Sequence, residues 1–178
     1  MNIKLVVLNV GGTLTDDDIV YGGGLEAESF SVKDGLILKA LPRIGIPVLL
    51  FTGRESKAAR GRAAELGCEI IENTADKESV LERILDGRGL TFADAAYIGD
   101  DLNDFVAMKR CGFKACPSDA AAGVKALADY ISPYPGGHGA VHDVCEKVLQ
   151  AAGLHDMYEQ LPQAADMHES FLRLFQAL

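Results

Sequence analysis

Ile3-Lys4-Leu5-Val6-Val7-Leu8-Asn9, followed by Val10-Gly11-Gly12-Thr13-Leu14-Thr15-Asp16, is the stretch on which the fold turns. An apolar run of this kind, without polar alternation, reads as a strand buried on both faces, as in a parallel sheet. It carries Asn9 to the strand's carboxyl end, where open α/β sheets place their ligands.

Outward from that strand, short apolar runs alternate with helical patterns, the order of a doubly wound α/β sheet. Strands are expected near 3–9, 46–51, 69–72, 95–99, 112–115 and 129–131. Helices are expected over about 35–44, 55–66, 76–86, 102–110, 119–127 and 138–152, with Gly45, Gly67 and Gly153 as stops. Residues 16–34 break the alternation. Ile19, Val20 and Tyr21 precede three glycines at 22–24, and apolar side chains recur at Leu25, Ala27, Phe30 and Val32. This segment reads as an inserted β-hairpin with a glycine turn, and a lone hairpin is too weak in water to stand uncovered. Residues 1–153, hairpin included, are expected to form one domain, and 154–178 a C-terminal helical tail. The tail pattern is two short amphipathic helices broken at Pro162, with Leu154, Met157, Tyr158 and Leu161 before it and Phe171, Leu174, Phe175 and Leu178 after. It packs either on its own domain or against another subunit.

The 178 residues are 48% hydrophobic, enough for one sizeable core. No apolar stretch reaches the roughly 20 residues of a membrane span, and the start lacks a basic region followed by an apolar one. A cytoplasmic protein with no membrane partner is expected. A net charge of -9 opposes nucleic acid as a partner, so any phosphate bound is small. Cys68, Cys111, Cys116 and Cys145 have neither paired spacing nor scaffold density and read as reduced core thiols.

Three further segments carry chemistry. Leu49-Leu50-Phe51-Thr52-Gly53-Arg54 sets a hydroxyl and successive N–H groups at a helix start, which suits a phosphate oxygen; Thr52 as a plain helix N-cap is the alternative. Tyr97-Ile98-Gly99 opens into Asp100-Asp101-Leu102-Asn103-Asp104. Carboxylates crowded at a strand end call for a base or a hard cation such as Mg²⁺, although helix starts favour acids in any case. Lys77, in Ala75-Asp76-Lys77-Glu78, would alone read as an exposed helix lysine.

In this order and at these separations, the strand-loop segment, Thr52-Gly53-Arg54, Lys77 and Gly99-Asp100-Asp101-x-x-Asp104 resemble the haloacid dehalogenase superfamily of phosphotransferases. Val32-Lys33-Asp34-Gly35 and Pro135-Gly136-Gly137-His138-Gly139-Ala140-Val141-His142-Asp143 resemble motifs of one branch. That branch holds the 3-deoxy-manno-octulosonate 8-phosphate (KDO 8-phosphate) phosphatases and related domains of some CMP-acylneuraminate synthetases. The resemblance covers about residues 2–153 and implies a sheet domain without a large cap. It implies that Thr52 binds the phosphate, that Lys77 neutralises it and orients the nucleophile, and that Asp100 holds Mg²⁺ with Asp101 and Asp104 in support. Positions 9 and 11 would be nucleophile and acid/base, both also reaching the metal. Gly12, Gly53, Arg54, Arg62 and His138 would line the substrate site. The ligand would be phosphate or a small phosphorylated sugar acid, and the assembly a homotetramer whose hairpins cover neighbouring sites.

The chain departs from this pattern where bonds are made. The branch carries aspartates where this chain has Asn9 and Gly11. An amide is a poor nucleophile and a weaker metal ligand; glycine keeps a carbonyl for the metal but has no side chain to pass a proton. No serine or cysteine in the loop replaces them. His138 and His142 stand for two arginines and, mostly neutral at pH 7, form no permanent carboxylate clamp. Both histidines, like Arg62, are equally readable as solvated helix residues. The expected protein is a phosphatase-deficient scaffold or phosphometabolite binder. An active Mg²⁺-dependent phosphatase of a 2-keto-3-deoxy sugar acid phosphate is the alternative, and a structural partner domain for a sugar-nucleotide enzyme the third reading.

Overall fold

The computed structural model describes residues 2–22 and 25–161. Six parallel strands form the central sheet: β1 (Leu5–Asn9), β4 (Val48–Phe51), β5 (Glu69–Ile71), β6 (Ala95–Ile98), β7 (Phe113–Cys116) and β8 (Tyr130–Ile131), in the order β5-β4-β1-β6-β7-β8. The remaining two, β2 (Val20–Gly22) and β3 (Leu25–Ala27), make the expected antiparallel hairpin, with Val20 opposite Ala27 and Tyr21 opposite Glu26. The helices are α1 (Val32–Ala40), α2 (Lys57–Leu66), α3 (Lys77–Gly87), α4 (Leu102–Arg110), α5 (Ala122–Leu127), α6 (Ala140–Ala152) and α7 (His155–Glu159).

Every residue of β1 is buried, and its side chains alternate between two cores. Val6 and Leu8 join Ile37, Leu38, Ala59, Ala63, Val144 and Val148 beneath α1, α2 and α6. Leu5 and Val7 join Leu81, Leu85, Ala107, Met108 and Val124 beneath α3, α4 and α5. The chain leaves β1 for β4 on one side and returns to β6 on the other, so the strand order reverses at β1, the place where such sheets open a crevice. Pairing of Asn9 with Phe51 and of Leu8 with Ile98 brings residues 9, 52 and 99–100 to one sheet edge.

Boundaries differ from expectation where a cap decides them. Helix α1 starts at Val32 rather than 35, because Ser31 accepts the Asp34 N–H at 3.3 Å. Its Gly45 stop holds, at φ 88°, after a tight turn over Leu41–Ile44. Gly67 and Gly153 also close their helices in left-handed geometry. Helix α5 begins at Ala122 rather than 119, since the Asp119 carboxylate is turned aside to accept the Gly136 N–H at 3.0 Å. Thr52 does not cap α2; Ser56 does, accepting the Ala59 N–H at 3.0 Å.

Past Gly153, α7 packs on the chain's own core, with Tyr158 buried and Leu154 and Leu161 partly so. The second tail helix expected around Phe171, Leu174, Phe175 and Leu178 lies outside the described residues. All four cysteines are free thiols; burial pushes Cys111 up to about 12 and Cys116 up to about 11. No described helix is long and apolar enough to cross a membrane.

Candidate functional site

Beyond β1 the chain makes one wide turn over Val10–Leu14, closed by the Thr15 N–H on the Val10 carbonyl at 3.0 Å. Gly12 sits at φ 73°, and a Cβ there would fall 2.1 Å from Asp100 Oδ2. Glycine is therefore required at 12 for its backbone and for its lack of bulk. The loop folds directly onto Asp100, whose Oδ1 accepts from Asn9 Nδ2 at 2.9 Å and from the Thr13 hydroxyl at 2.7 Å. Asn9 Nδ2 also donates to the Gly11 carbonyl at 2.8 Å, while Asn9 Oδ1 accepts from Lys77 Nζ at 3.0 Å. This network sets the amide's orientation, because a flipped amide would turn its NH₂ on the ammonium and its oxygen on two acceptors.

Lys77 is 2% exposed, against the exposed lysine that its segment alone suggests. It pairs with Asp104 Oδ1 at 2.7 Å, the same oxygen that accepts the Tyr97 hydroxyl at 2.8 Å. Asp104 Oδ2 accepts the backbone N–H groups of Asp100 at 3.1 Å and Asp101 at 3.5 Å. Asp104 is thus a fully engaged anchor for Lys77 and the loop. Asp101 caps α4, accepting the Leu102 N–H at 2.7 Å. Burial lifts the Asp100 carboxyl to about 6, opposed by the donated bonds from Asn9 and Thr13 and reinforced by the negative charges of Asp104 and Asp17. Sequence reasoning missed Thr13 and Tyr97. The signal for Tyr97 was a hydroxyl inside the apolar run of β6, since a buried hydroxyl needs a partner.

A hard cation requires convergent oxygen donors. The Gly11 carbonyl and the Asp100 carboxylate do converge, but on the Asn9 NH₂, which presents hydrogens where an aspartate would present a lone pair. The amide bridges the two oxygens itself. The donor set therefore fits Mg²⁺ poorly.

Thr52 is buried at the end of β4, where its hydroxyl accepts the Arg54 N–H at 3.3 Å and donates to the Arg54 carbonyl at 3.2 Å. Gly53 lies exposed beside it. Arg54 turns to the hairpin segment, pairing with Glu26 and Glu28, and Glu28 also accepts the Ser56 hydroxyl. Arg62 is not brought to Asn9. Its guanidinium lies on Gly35, donates to the Ser31 carbonyl at 3.0 Å and pairs with Glu65 at 2.8 Å. His138 is exposed before α6, its Nδ1 2.8 Å from the Gly136 carbonyl. The glycines around it press on the Val10–Leu14 turn: Gly137 N–H donates to the Thr13 carbonyl at 3.1 Å, and a Cβ on Gly136 would lie 2.1 Å from the Gly12 carbonyl oxygen.

Comparison with known proteins identifies the family. Residues 62–143 match the haloacid dehalogenase-like hydrolase family. The 3-deoxy-D-manno-octulosonate 8-phosphate phosphatase KdsC of Haemophilus influenzae is 37% identical over 154 residues, 85% of this chain and 86% of that protein. Among solved structures, the corresponding phosphatase of Moraxella catarrhalis, in complex with a magnesium ion, a phosphate ion and KDO, superposes with a TM-score of 0.85 at 39% identity, covering 88% of this chain and 91% of that one. A cobalt-bound form of the Haemophilus influenzae phosphatase gives a TM-score of 0.84 at 35% identity, over 91% and 96% of the two chains. This chain belongs to the haloacid dehalogenase superfamily, in the branch of the KDO 8-phosphate phosphatases.

Proposed function

We propose that this chain is a phosphatase-deficient member of its branch, a cytoplasmic homotetramer that binds phosphate or a small phosphorylated sugar acid. The observation that carries the reading is the Asn9 amide, bonded on one side to Lys77 and on the other to Gly11 and Asp100. Its nitrogen lone pair is delocalised and its oxygen is neutral, so no nucleophile faces phosphorus. Loss of a nucleophile costs on the order of 10⁴- to 10⁶-fold in rate, roughly 5 to 8 kcal/mol of barrier.

The same substitution suits binding. An ammonium has three donors, and Asn9 and Asp104 take two from Lys77, leaving one for a phosphate oxygen. The N–H groups about Gly12 and Gly53 complete an anion cradle, joined by the Thr52 hydroxyl when it turns from the Arg54 carbonyl to the anion. Because the Asn9 NH₂ engages the Gly11 and Asp100 oxygens that would hold Mg²⁺, binding depends little on that cation. The relatives' ligands, phosphate and KDO, are the natural probes. Val20 and Tyr21 on the hairpin, 65% and 75% exposed, are the apolar surface that a neighbouring subunit would cover.

The test is hydrolysis of KDO 8-phosphate with Mg²⁺, beside calorimetry with phosphate. Turnover below about one part in 10⁴ of an active relative is expected, with phosphate binding that Lys77→Ala weakens. A chelator-sensitive turnover matching the relatives would instead establish the active phosphatase, the reading favoured by the intact Lys77, Asp100 and Asp104 set. Light scattering that gives a monomer at micromolar concentration would remove the tetramer.

A further inference from the structure

Asp17 closes the loop that begins at Asn9, and its backbone stands in the left-handed region at φ 67°. L residues other than asparagine and aspartate rarely adopt that conformation, and its cost has to be met by the surroundings. The conformation turns the carboxylate back over the loop. A Cβ built on Gly11 would meet Asp17 Oδ1 at 3.0 Å and, apart from the backbone of its own turn, no other non-neighbouring atom within 4 Å. The volume open to a side chain at position 11 is therefore entered by one group, an acid borrowed from six residues downstream. That carboxylate acts electrostatically on Asp100, Asp101 and Arg54, which places it at the mouth of the Asn9 site. Among the described residues it has no hydrogen-bond or ion-pair partner.

We propose that Asp17 supplies, from position 17, the carboxyl group that position 11 lacks, facing the ester oxygen of a phosphomonoester held at Lys77. The proposal rests on the phosphate-site reading above. It makes the loop one substitution short of chemistry rather than two. With aspartate at position 9, that carboxylate attacks phosphorus and the ester P–O bond breaks. Asp17, ionised in the free chain, takes up a proton from solvent as the phosphate dianion docks beside it and gives that proton to the departing oxygen, leaving an alcohol, a phosphoryl group on residue 9 and an ionised Asp17. Asp17 then takes a proton from water as the water oxygen attacks phosphorus, releasing phosphate and restoring both side chains.

The experiment compares Asn9→Asp with Asn9→Asp/Asp17→Asn on glycerol phosphate and p-nitrophenyl phosphate, with Mg²⁺ present. An alkoxide needs a proton to leave and a nitrophenolate does not. Asp17→Asn should therefore lower alkyl ester turnover about 10²-fold or more and aryl ester turnover less than about tenfold. Equal losses on both esters would mark Asp17 as structural and overturn the proposal. So would an inactive Asn9→Asp protein that becomes active only when Gly11→Asp is added. In the otherwise unaltered chain, Asp17→Asn should tighten inorganic phosphate several-fold near pH 7.5, since a like charge leaves the mouth; unchanged affinity counts against it. The underlying reading fails separately, if Lys77→Ala leaves phosphate affinity intact while Asp17→Asn still shifts it. Proteins that neither bind nor hydrolyse phosphate, with or without these changes, overturn both.

Discussion

Asp34 and His142 are 108 residues apart, yet the His142 backbone N–H donates to Asp34 Oδ1 at 2.8 Å. Asp34 Oδ2 accepts the Gly139 N–H at 3.2 Å, so one carboxylate from α1 caps the start of α6, which has no side-chain cap of its own. The two sequence motifs around Asp34 and His138 are halves of this one device. It seats the glycine loop that presses on the catalytic turn.

Removing the cap should destabilise the fold. Asp34→Ala leaves two N–H groups without acceptors in a buried place and should cost about 2 kcal/mol, with Asp34→Asn milder because one amide oxygen still accepts. Urea unfolding measures both. A change in midpoint within error for Asp34→Ala would show that the cap contributes nothing.

Asp100 should make stability depend on pH. Its carboxyl is raised to about 6 by burial, against an ordinary aspartate value near 3.9. Between those values the folded chain holds a proton that the unfolded chain has released, so the fold weakens as pH rises through the interval. In chelator-treated buffer, Asp100→Asn should gain melting temperature over the parent from pH 4 to pH 7. A constant difference across that range would refute the assignment.

Lys77 and Asp104 are 1% and 0% exposed at their side chains, so neither charge tolerates losing the other. Lys77→Met should cost about 3 kcal/mol or more by stranding a buried carboxylate, and Lys77→Met/Asp104→Asn should cost less than the two single changes together. A double-mutant cycle by denaturant unfolding checks this; additive losses would mean that the pair is not coupled.

Two glycines should respond differently to the same methyl group. At Gly136 it meets backbone, the Gly12 carbonyl oxygen at 2.1 Å, whereas at Gly35 its nearest contact is the end of the Arg62 side chain at 2.0 Å. A guanidinium can move, and alanine favours a helix interior by about 1 kcal/mol over glycine. Gly35→Ala should stay within about 1 kcal/mol of the parent, while Gly136→Ala loses about 2 to 3 kcal/mol and loosens the catalytic loop. Thermal melts of the two proteins would reverse this order if the glycine loop were free to retreat.

The sheet was readable because its central strands are buried on both faces, and uninterrupted runs such as Leu5 to Leu8 have few other uses. Glycine stops at 45, 67 and 153 were readable because a left-handed residue ends a helix by local geometry alone. The start of α1 was not: Val32 is 71% exposed and breaks the apolar stripe, and only the Ser31 cap marks it. In the site, Asn9, Lys77, Asp100 and Asp104 could be named together through the resemblance of their segments to the superfamily, but the destinations of Arg54 and Arg62 could not. Their partners, Glu26, Glu28 and Ser31, lie 26 or more residues away with no periodic signal linking them. Asp17 was equally hidden, since a run of three aspartates says nothing about which one leans over Gly11.

The amide of Asn9 holds Gly11 and Asp100 together by hydrogen bonds that belong to the chain itself. A loop closed by an ion is assembled only in proportion to that ion's free concentration; one closed by its own amide is assembled as soon as the chain has folded. Under the proposed function, the cradle would thereby be released from mass action on a divalent cation. Its occupancy would then track the phosphorylated ligand alone, a property suited to reporting a concentration rather than consuming a substrate.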